Sequence, residues 1–214
     1  SYSIKELKVF FEKYLNFSLC NNVTDVQSEI NFFNRGLFPS LDKQEKLYIE
    51  SCQELEIIRK KLTKIAITVP KLATKNSIEN DSVINTWKTN SGIFLKLTNA
   101  RSSKLKTYLT KEGEKLDIKW VSKFDKTEKV THLDTSVFQF KGVSGAATSD
   151  KKITCSKLTK VEESILQSSD NLNEELDIQF KKFLKKLNSY FREIDLIIEF
   201  VTLTDVILTN TFIS

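Results

Sequence analysis

Methionine is absent from this 214-residue chain, and proline, glycine and histidine are rare, with two, five and one copies. β-Sandwiches and α/β enzymes need many tight turns and phosphate-binding loops, which so few glycines and prolines cannot supply. The composition therefore favours long helices. Because a complete reading frame starts with Met and this chain starts with Ser1, we expect the chain to be a piece of a longer protein.

Metal centres and disulfide frameworks also have too few ligands here. The three cysteines, Cys20, Cys52 and Cys155, are widely spaced and include no C-x-x-C pair, and there is a single histidine. This argues against zinc frameworks and disulfide scaffolds, and it is typical of a reducing, intracellular compartment. The most apolar window, residues 194–213, carries three acidic residues that are costly at bilayer depth. We therefore interpret that window as a buried helix and expect no membrane partner.

Positive charge is concentrated in the middle of the chain. Residues 81–156 contain 14 Lys and Arg against eight Asp and Glu, whereas all other residues contain 19 against 20. This block also alternates apolar and polar positions instead of showing helical stripes. We divide the chain into an N-terminal core with a first long helix (1–80), a basic β-containing insert (81–156), and a return helix followed by a buried C-terminal helix (157–214). A localised positive surface is typical of phosphate-backbone binding, and a solvated charged face is an equally compatible interpretation.

Apolar residues at helical spacing predict long helices on both sides of the insert. We predict a short amphipathic helix over residues 4–16 and a helix over about residues 41–65, with Ser40 as its N-cap. Residues 157–201 repeat apolar positions every three or four residues, which predicts one continuous helix. Its apolar stripe needs a partner, and the 41–65 helix is the candidate. We therefore expect an antiparallel pair with the insert at its far end.

Strand signals lie within the insert. Segments 92–98, 117–121 and 136–141 are rich in β-branched and aromatic residues, so we predict a strand at each. Residues 68–90 lack sustained periodicity and are interpreted as crossing loops with room for one strand. The expected fold class is mainly α with a small β-containing insert.

Catalytic motifs are missing from the sequence. It contains neither a G-x-x-x-x-G-K-[ST] phosphate loop nor a G-x-G-x-x-G fingerprint. Adjacent acidic pairs occur on a predicted helix rich in lysine, where they favour solubility and i,i+4 pairing over acid–base chemistry. His132 has no nucleophile within a recognisable motif, so we expect a surface histidine. We expect no catalytic site in this chain.

Four short segments share residues and spacing with one known family. Arg-Gly-Leu-Phe-Pro-Ser-Leu-Asp at 35–42 matches a glycine-to-Leu-Asp start of a long helix, and Gly-Ile-Phe-Leu at 92–95 matches a Gly-aromatic-aromatic strand. Residues 152–158 match a basic-apolar-Thr start of a return helix. Thr-Asp-Val at 204–206 stands where the family has Leu-Asp-Val, and Ile93 replaces an aromatic residue. From about Val23 onward, the chain thus resembles the lever and clamp region of MutS, the DNA mismatch repair ATPases.

The Lys-, Asn- and Ile-rich composition, with Thr98-x-x-Arg101 after the strand, is similar to the MutS branch of giant DNA viruses and octocoral mitochondria. The resemblance implies long antiparallel lever helices that carry a clamp subdomain, which closes around duplex DNA. It implies that the ATPase lies outside this chain, that ATP and Mg are cofactors of the parent protein with none bound by this fragment, and that the parent pairs with a second MutS-like subunit.

Lys and Arg on strands and loops supply charge without a recognition helix, so we expect contacts to phosphates rather than to base edges, with weak, salt-dependent binding. Lys152 matches the family's basic residue before the return helix, and the other candidates are chosen for charge and expected exposure. The candidate DNA contacts are Lys96, Arg101, Lys104, Lys106, Lys151 and Lys152. The two Phe-x-Glu motifs, at 10–12 and 191–193, fall inside amphipathic helices, so we expect no mismatch discrimination. The apolar stripe of the return helix leaves a second hypothesis open, a structural coiled-coil module that docks another protein.

Overall fold

Helices and a small antiparallel sheet form the structure, a computed structural model that describes residues 3–20, 31–89, 92–142 and 150–213, with the backbone alone for 207–213. The helices are α1 (Ile4–Tyr14), α2 (Phe17–Cys20), α3 (Pro39–Thr68), α4 (Lys75–Glu79), α5 (Asn99–Glu112), α6 (Ser156–Leu187) and α7 (Phe191–Ile213). The strands are β1 (Asn85–Thr89), β2 (Gly92–Thr98), β3 (Lys115–Val121), β4 (Glu128–Asp134), β5 (Gln139–Gly142) and β6 (Asp150–Thr154). The expected class, mainly helical with a small β-containing part, is confirmed. Among the described residues, no helix combines the length and apolar content needed to cross a membrane.

The chain divides into two units, and the divisions fall inside α3 and α6. The first unit comprises residues 1–43 and 172–214, and the second comprises residues 44–171. The core of the first unit is aromatic: the Phe183 ring is 4% exposed and lies 5.3 Å from the Phe10 ring and 5.8 Å from the Phe33 ring.

The second unit holds both sheets. Its described strands form a four-stranded antiparallel sheet in the order β1-β2-β6-β5 and a separate β3-β4 hairpin. One face of the larger sheet carries its core side chains, because Leu95, Leu97 and Ile153 are buried and point to the same side. These side chains join a core cluster with residues of α3, α5 and α6: Leu55, Ile58, Leu62, Leu105, Leu109, Leu158 and Val161.

The start of α3 differs from the prediction. Ser40 is not its N-cap, because the helix begins one residue earlier, at Pro39. Proline suits the first helical position since its missing N–H would have no intrahelical partner there. The Ser40 hydroxyl instead donates a hydrogen bond to Glu175 in the first unit. The preceding break is fixed by Gly36, which has a φ of 85° and donates its N–H to the Asp42 carboxylate.

The predicted continuous helix over 157–201 is wrong, because a 3-10 turn at Asn188–Tyr190 separates α6 from α7. Two contacts hold this turn. The Ser189 hydroxyl donates to the Lys186 carbonyl, a competing bond that bends helices, and the Tyr190 ring lies 5.0 Å from the Phe10 ring. Several apolar side chains of α7 are exposed in this chain, with Phe200 at 70%. The burial of this helix in a larger body stays a prediction.

The insert contains two elements that the sequence patterns did not predict, α5 and β4. The strand expected over 136–141 begins only at Gln139, because Thr135–Val137 forms a 3-10 turn capped by the Asp134 carboxylate. The other two predicted strands are confirmed as β2 and β3. Within 68–90, β1 is the single described strand, and the short helix α4 was not predicted.

Polar contacts fasten the β3-β4 hairpin to α3. The Lys46 ammonium pairs with Asp125, and the Lys129 ammonium pairs with Glu50. One turn further along α3, the Gln53 side chain donates to the Val121 carbonyl at 2.7 Å. These α3 residues recur at helical spacing, so they form one polar stripe under the hairpin.

Candidate functional site

Three lysines lie side by side on the sheet face opposite the core. Lys96 of β2 is the direct cross-strand neighbour of Lys152 of β6, and Lys152 is in turn opposite Lys141 of β5. Directly opposed residues point to the same face, so these side chains form a row across three strands, which we call the lysine row. Like charges placed directly opposite each other destabilise a sheet, so the lysine row by itself lowers the stability of this sheet.

Two aromatic rings and two carboxylates surround the lysine row. The Lys96 ammonium lies 4.0 Å from the centroid of the Trp87 ring and 2.9 Å from the Asp150 carboxylate. The Lys152 ammonium lies 4.9 Å from the centroid of the Phe94 ring and 2.5 Å from the Glu162 carboxylate. The rings and carboxylates offset the repulsion within the row while leaving both lysine side chains partly exposed, at 25% and 30%.

The carboxylate that pairs with Lys152 is poorly solvated. Burial raises the pKa of the Glu162 carboxyl above its ordinary value, and the hydrogen bond from Lys152 only partly opposes this shift. One of its oxygens, Oε1, is buried without a hydrogen-bond partner among the described residues. Because a buried carboxylate that loses its cation is left with an uncompensated charge, Glu162 depends on Lys152 for its charge balance.

Lys141 is exposed and, within the part of the chain that the structure describes, has no carboxylate within ion-pair distance. Of the three charges in the row, that of Lys141 is the one without a carboxylate partner among the residues that the structure describes. The sequence patterns missed it as a candidate, and they missed Trp87 as well. Alternation along each strand could have placed Trp87 and Phe94 on the faces they occupy, but only the strand register brings Lys141 beside Lys152.

The other candidate contacts lie elsewhere in the second unit. Lys151 is opposite Leu97 and Gly142 and therefore points to the other side of the sheet from Lys152. Arg101, in the first turn of α5, donates to the Ser82 and Val83 carbonyls at 2.7 and 3.3 Å. This places Arg101 as a tie between α5 and the segment before β1.

Lys104 and Lys106 lie on the exposed side of α5. The Lys104 ammonium donates to the Lys71 carbonyl at 2.6 Å, whereas the Lys106 ammonium has no hydrogen bond or ion pair with the described residues. Of the six candidates, the structure thus brings together two, Lys96 and Lys152, and adds Lys141 to them. The role of all six in DNA binding stays a prediction.

His132 lies on the exposed side of the hairpin, as expected for a surface histidine. Its Nδ1 is 2.7 Å from the Asp117 carboxylate, and its side chain is 78% exposed. Among the described residues, no group of three His, Cys, Asp or Glu side chains is arranged to hold a metal ion. The chemistry that the lysine row offers is therefore the attraction of anions, with two aromatic faces beside it.

Comparison with known proteins finds no family model and no curated sequence that match this chain.

Proposed function

We propose that this chain is the lever and clamp fragment of a MutS-like DNA mismatch repair protein, which encircles duplex DNA through non-specific phosphate contacts and is coupled to an ATPase outside this chain. The observation that carries the proposal is the lysine row. Three lysines on neighbouring strands form a row of positive charge that would attract the negative charge of a nucleic-acid backbone, and a sheet supports them without a helix that could read the major groove.

The two long helices support the lever assignment. In the second unit, the Ser51 and Ser164 hydroxyls of α3 and α6 are 2.8 Å apart, and one turn further along α3 the Glu54 carboxylate pairs with Lys157, nearer the start of α6. Contacts that move towards the end of one helix and towards the start of the other are typical of an antiparallel pair. Helices packed in this way transmit a rigid displacement, as levers between a clamp and a distant ATPase require.

The proposal predicts salt-dependent binding that is lost when the lysine row is neutralised. We expect a Lys96→Gln, Lys141→Gln and Lys152→Gln triple variant to bind a fluorescent duplex at least about tenfold more weakly at low salt. The logarithmic slope of affinity against salt should become shallower by about two to three, because up to three phosphate contacts are removed. Fluorescence anisotropy between about 50 and 200 mM salt measures both quantities.

A triple variant of α1, Lys5→Gln with Lys8→Gln and Lys13→Gln, removes the same charge from the first unit and should leave the slope nearly unchanged. All three of these lysines are exposed. Equal losses of affinity in the two triple variants would contradict the proposal. Tighter binding of a mismatched duplex than of a matched duplex would also contradict it. Absence of binding by the unmodified chain at low salt would favour the alternative, a structural coiled-coil module for protein docking, which the exposed apolar side chains of α7 support.

Neutralising Asp150, one of the two carboxylates beside the lysine row, should have the opposite effect on duplex affinity. Asp150→Asn releases Lys96 from its ion pair, so we expect duplex affinity at low salt to rise by roughly two- to tenfold. Asp117→Asn is the matched control, because it removes one negative charge from the same unit at an exposed site on the hairpin. Anisotropy titrations in which both variants gain equally would show that only the overall charge matters.

A further inference from the structure

Trp87 and Phe94 form an aromatic pair on the same sheet face as the lysine row. They are direct cross-strand neighbours on β1 and β2, and their ring centroids are 5.5 Å apart with planes inclined by 59°. Both side chains are partly exposed. The two rings therefore stand side by side on an accessible face.

The hydrophobic core does not account for these rings. Among the described residues, the partly buried apolar side chains that pack against the core cluster include Ile93 and Phe140 but neither Trp87 nor Phe94. Residues on the opposite face of the sheet, such as Leu95 and Ile153, supply its packing instead. A large aromatic surface kept outside the core, next to cations, is typical of a recognition surface.

Each ring is covered by a movable cation. The ammonium groups of Lys96 and Lys152 lie over the Trp87 and Phe94 rings on flexible four-carbon stems. A planar ligand could take the place of an ammonium group above a ring, and the displaced ammonium would remain within reach of a phosphate on the same ligand. Aromatic rings beside lysines on a sheet are the elements that single-stranded nucleic-acid sites combine.

We infer that Trp87 and Phe94 are a stacking platform for unpaired bases, so that this face binds an unpaired strand in preference to an intact duplex. The inference rests on the proposed contact between the lysine row and nucleic acid. In a duplex, each base is already stacked and paired, and its planar face is not available. An unpaired base has a free face and can stack on a ring whatever its identity, so the preference is for strand state and not for sequence.

The test compares three probes of similar phosphate number: an oligothymidylate of about 15 nucleotides, an abasic strand and a duplex. We expect the unmodified chain to bind the oligothymidylate more tightly than both the abasic strand and the duplex, and tighter binding of the duplex would overturn the inferred preference. Trp87→Ala and Phe94→Ala should each weaken oligothymidylate binding by about 5- to 150-fold and leave abasic-strand binding within about twofold. Trp87→Phe keeps an aromatic face and should restore most of the affinity.

A spectroscopic readout separates stacking from a structural role. In a Trp120→Phe background, Trp87 is the single tryptophan of the chain, and oligothymidylate should quench its fluorescence whereas the abasic strand should not. Far-UV circular dichroism establishes that each variant folds, and Phe94→Ala together with the quenching of Trp87 fluorescence carries the test if Trp87→Ala does not fold. Equal affinity of the unmodified chain for the oligothymidylate and the abasic strand would overturn the inference while leaving the proposed phosphate contact intact. Loss of binding to all three probes at low salt would overturn both.

Discussion

Replacing Arg59 by methionine should lower the free energy of unfolding by about 2 to 4 kcal/mol. The Arg59 side chain is only 8% exposed, and it connects α3 with the segment before β1. Its guanidinium donates to the Asp81 carboxylate, to the Glu56 carboxylate at 2.7 Å, and to the Ile84 carbonyl at 3.1 Å. Methionine preserves most of the apolar stem but leaves the Ile84 carbonyl without this donor and both carboxylates without their cation. Urea unfolding followed by circular dichroism measures the loss.

The loss caused by Arg59→Met should also depend on pH. Hydrogen bonds from Arg59 lower the pKa of the Asp81 carboxyl and of the Glu56 carboxyl below their ordinary values. A carboxyl with a lowered folded-state pKa binds fewer protons when folded, so its stabilising contribution is complete above the unfolded pKa of about 4 and is lost as pH falls through the folded value. The difference between the unmodified chain and the variant should therefore narrow from about pH 6 to pH 3.

A neighbouring lysine provides the control for both measurements. Lys60 is adjacent in sequence and pairs with the same Glu56 carboxylate at 3.6 Å, but its side chain is 63% exposed. Lys60→Met should change the free energy of unfolding by no more than about 0.5 kcal/mol, because exposed ion pairs contribute little. A pH-independent difference for Arg59→Met would mean that lost packing, and not lost charge pairing, explains its effect.

Helix positions were predictable where a continuous apolar stripe existed. Leu55, Ile58 and Leu62 recur at helical spacing and are buried in the core, so α3 was found with its ends shifted by a few residues. α5 was missed because its buried apolar residues are few: Leu105 and Leu109 stand among lysines, threonines and serines. The helix is held instead by its packing on the sheet and by the Thr98 side chain, which accepts the Arg101 N–H.

β4 was missed for a different reason. Its buried positions include Thr131, a polar residue that is fully buried because it accepts the Trp120 indole N–H and donates to the Glu54 carboxylate. A pattern of apolar alternation cannot identify a strand whose inner positions are satisfied by partners distant in sequence. The break between α6 and α7 leaves no signal in the sequence pattern, because the apolar repeat continues through the 3-10 turn.

The candidate site was only partly predictable. Charge counting along the chain correctly located the basic excess, and strand alternation could assign each lysine to a face. The lysine row, however, depends on the register that places Lys152 between Lys96 and Lys141, and register between strands so far apart in sequence is set by tertiary packing. Sequence reasoning consequently grouped Lys151 with Lys152, although adjacent strand residues point to opposite faces.

Replacing Phe183 by alanine should destabilise the first unit by about 3 to 5 kcal/mol, the loss typical of a buried phenylalanine. The Phe183 ring is 4% exposed, and its centroid lies 5.3 Å from that of Phe10, 5.6 Å from that of Tyr14 and 5.8 Å from that of Phe33. Alanine leaves a cavity lined by rigid rings, which cannot collapse to fill it as flexible aliphatic side chains do. The midpoint of thermal unfolding, followed by near-ultraviolet circular dichroism, should fall by about 6 to 20 °C.

An exposed phenylalanine in the same unit separates this cavity effect from the general loss of a ring. Phe200 on α7 is 70% exposed, so Phe200→Ala should shift the free energy of unfolding by no more than about 0.5 kcal/mol. Phe183→Leu retains part of the volume and should cost about 1 to 2 kcal/mol. If Phe183→Ala proved no more harmful than Phe200→Ala, the ring cluster could not be the core of the first unit, because removing its central member would then leave stability unchanged.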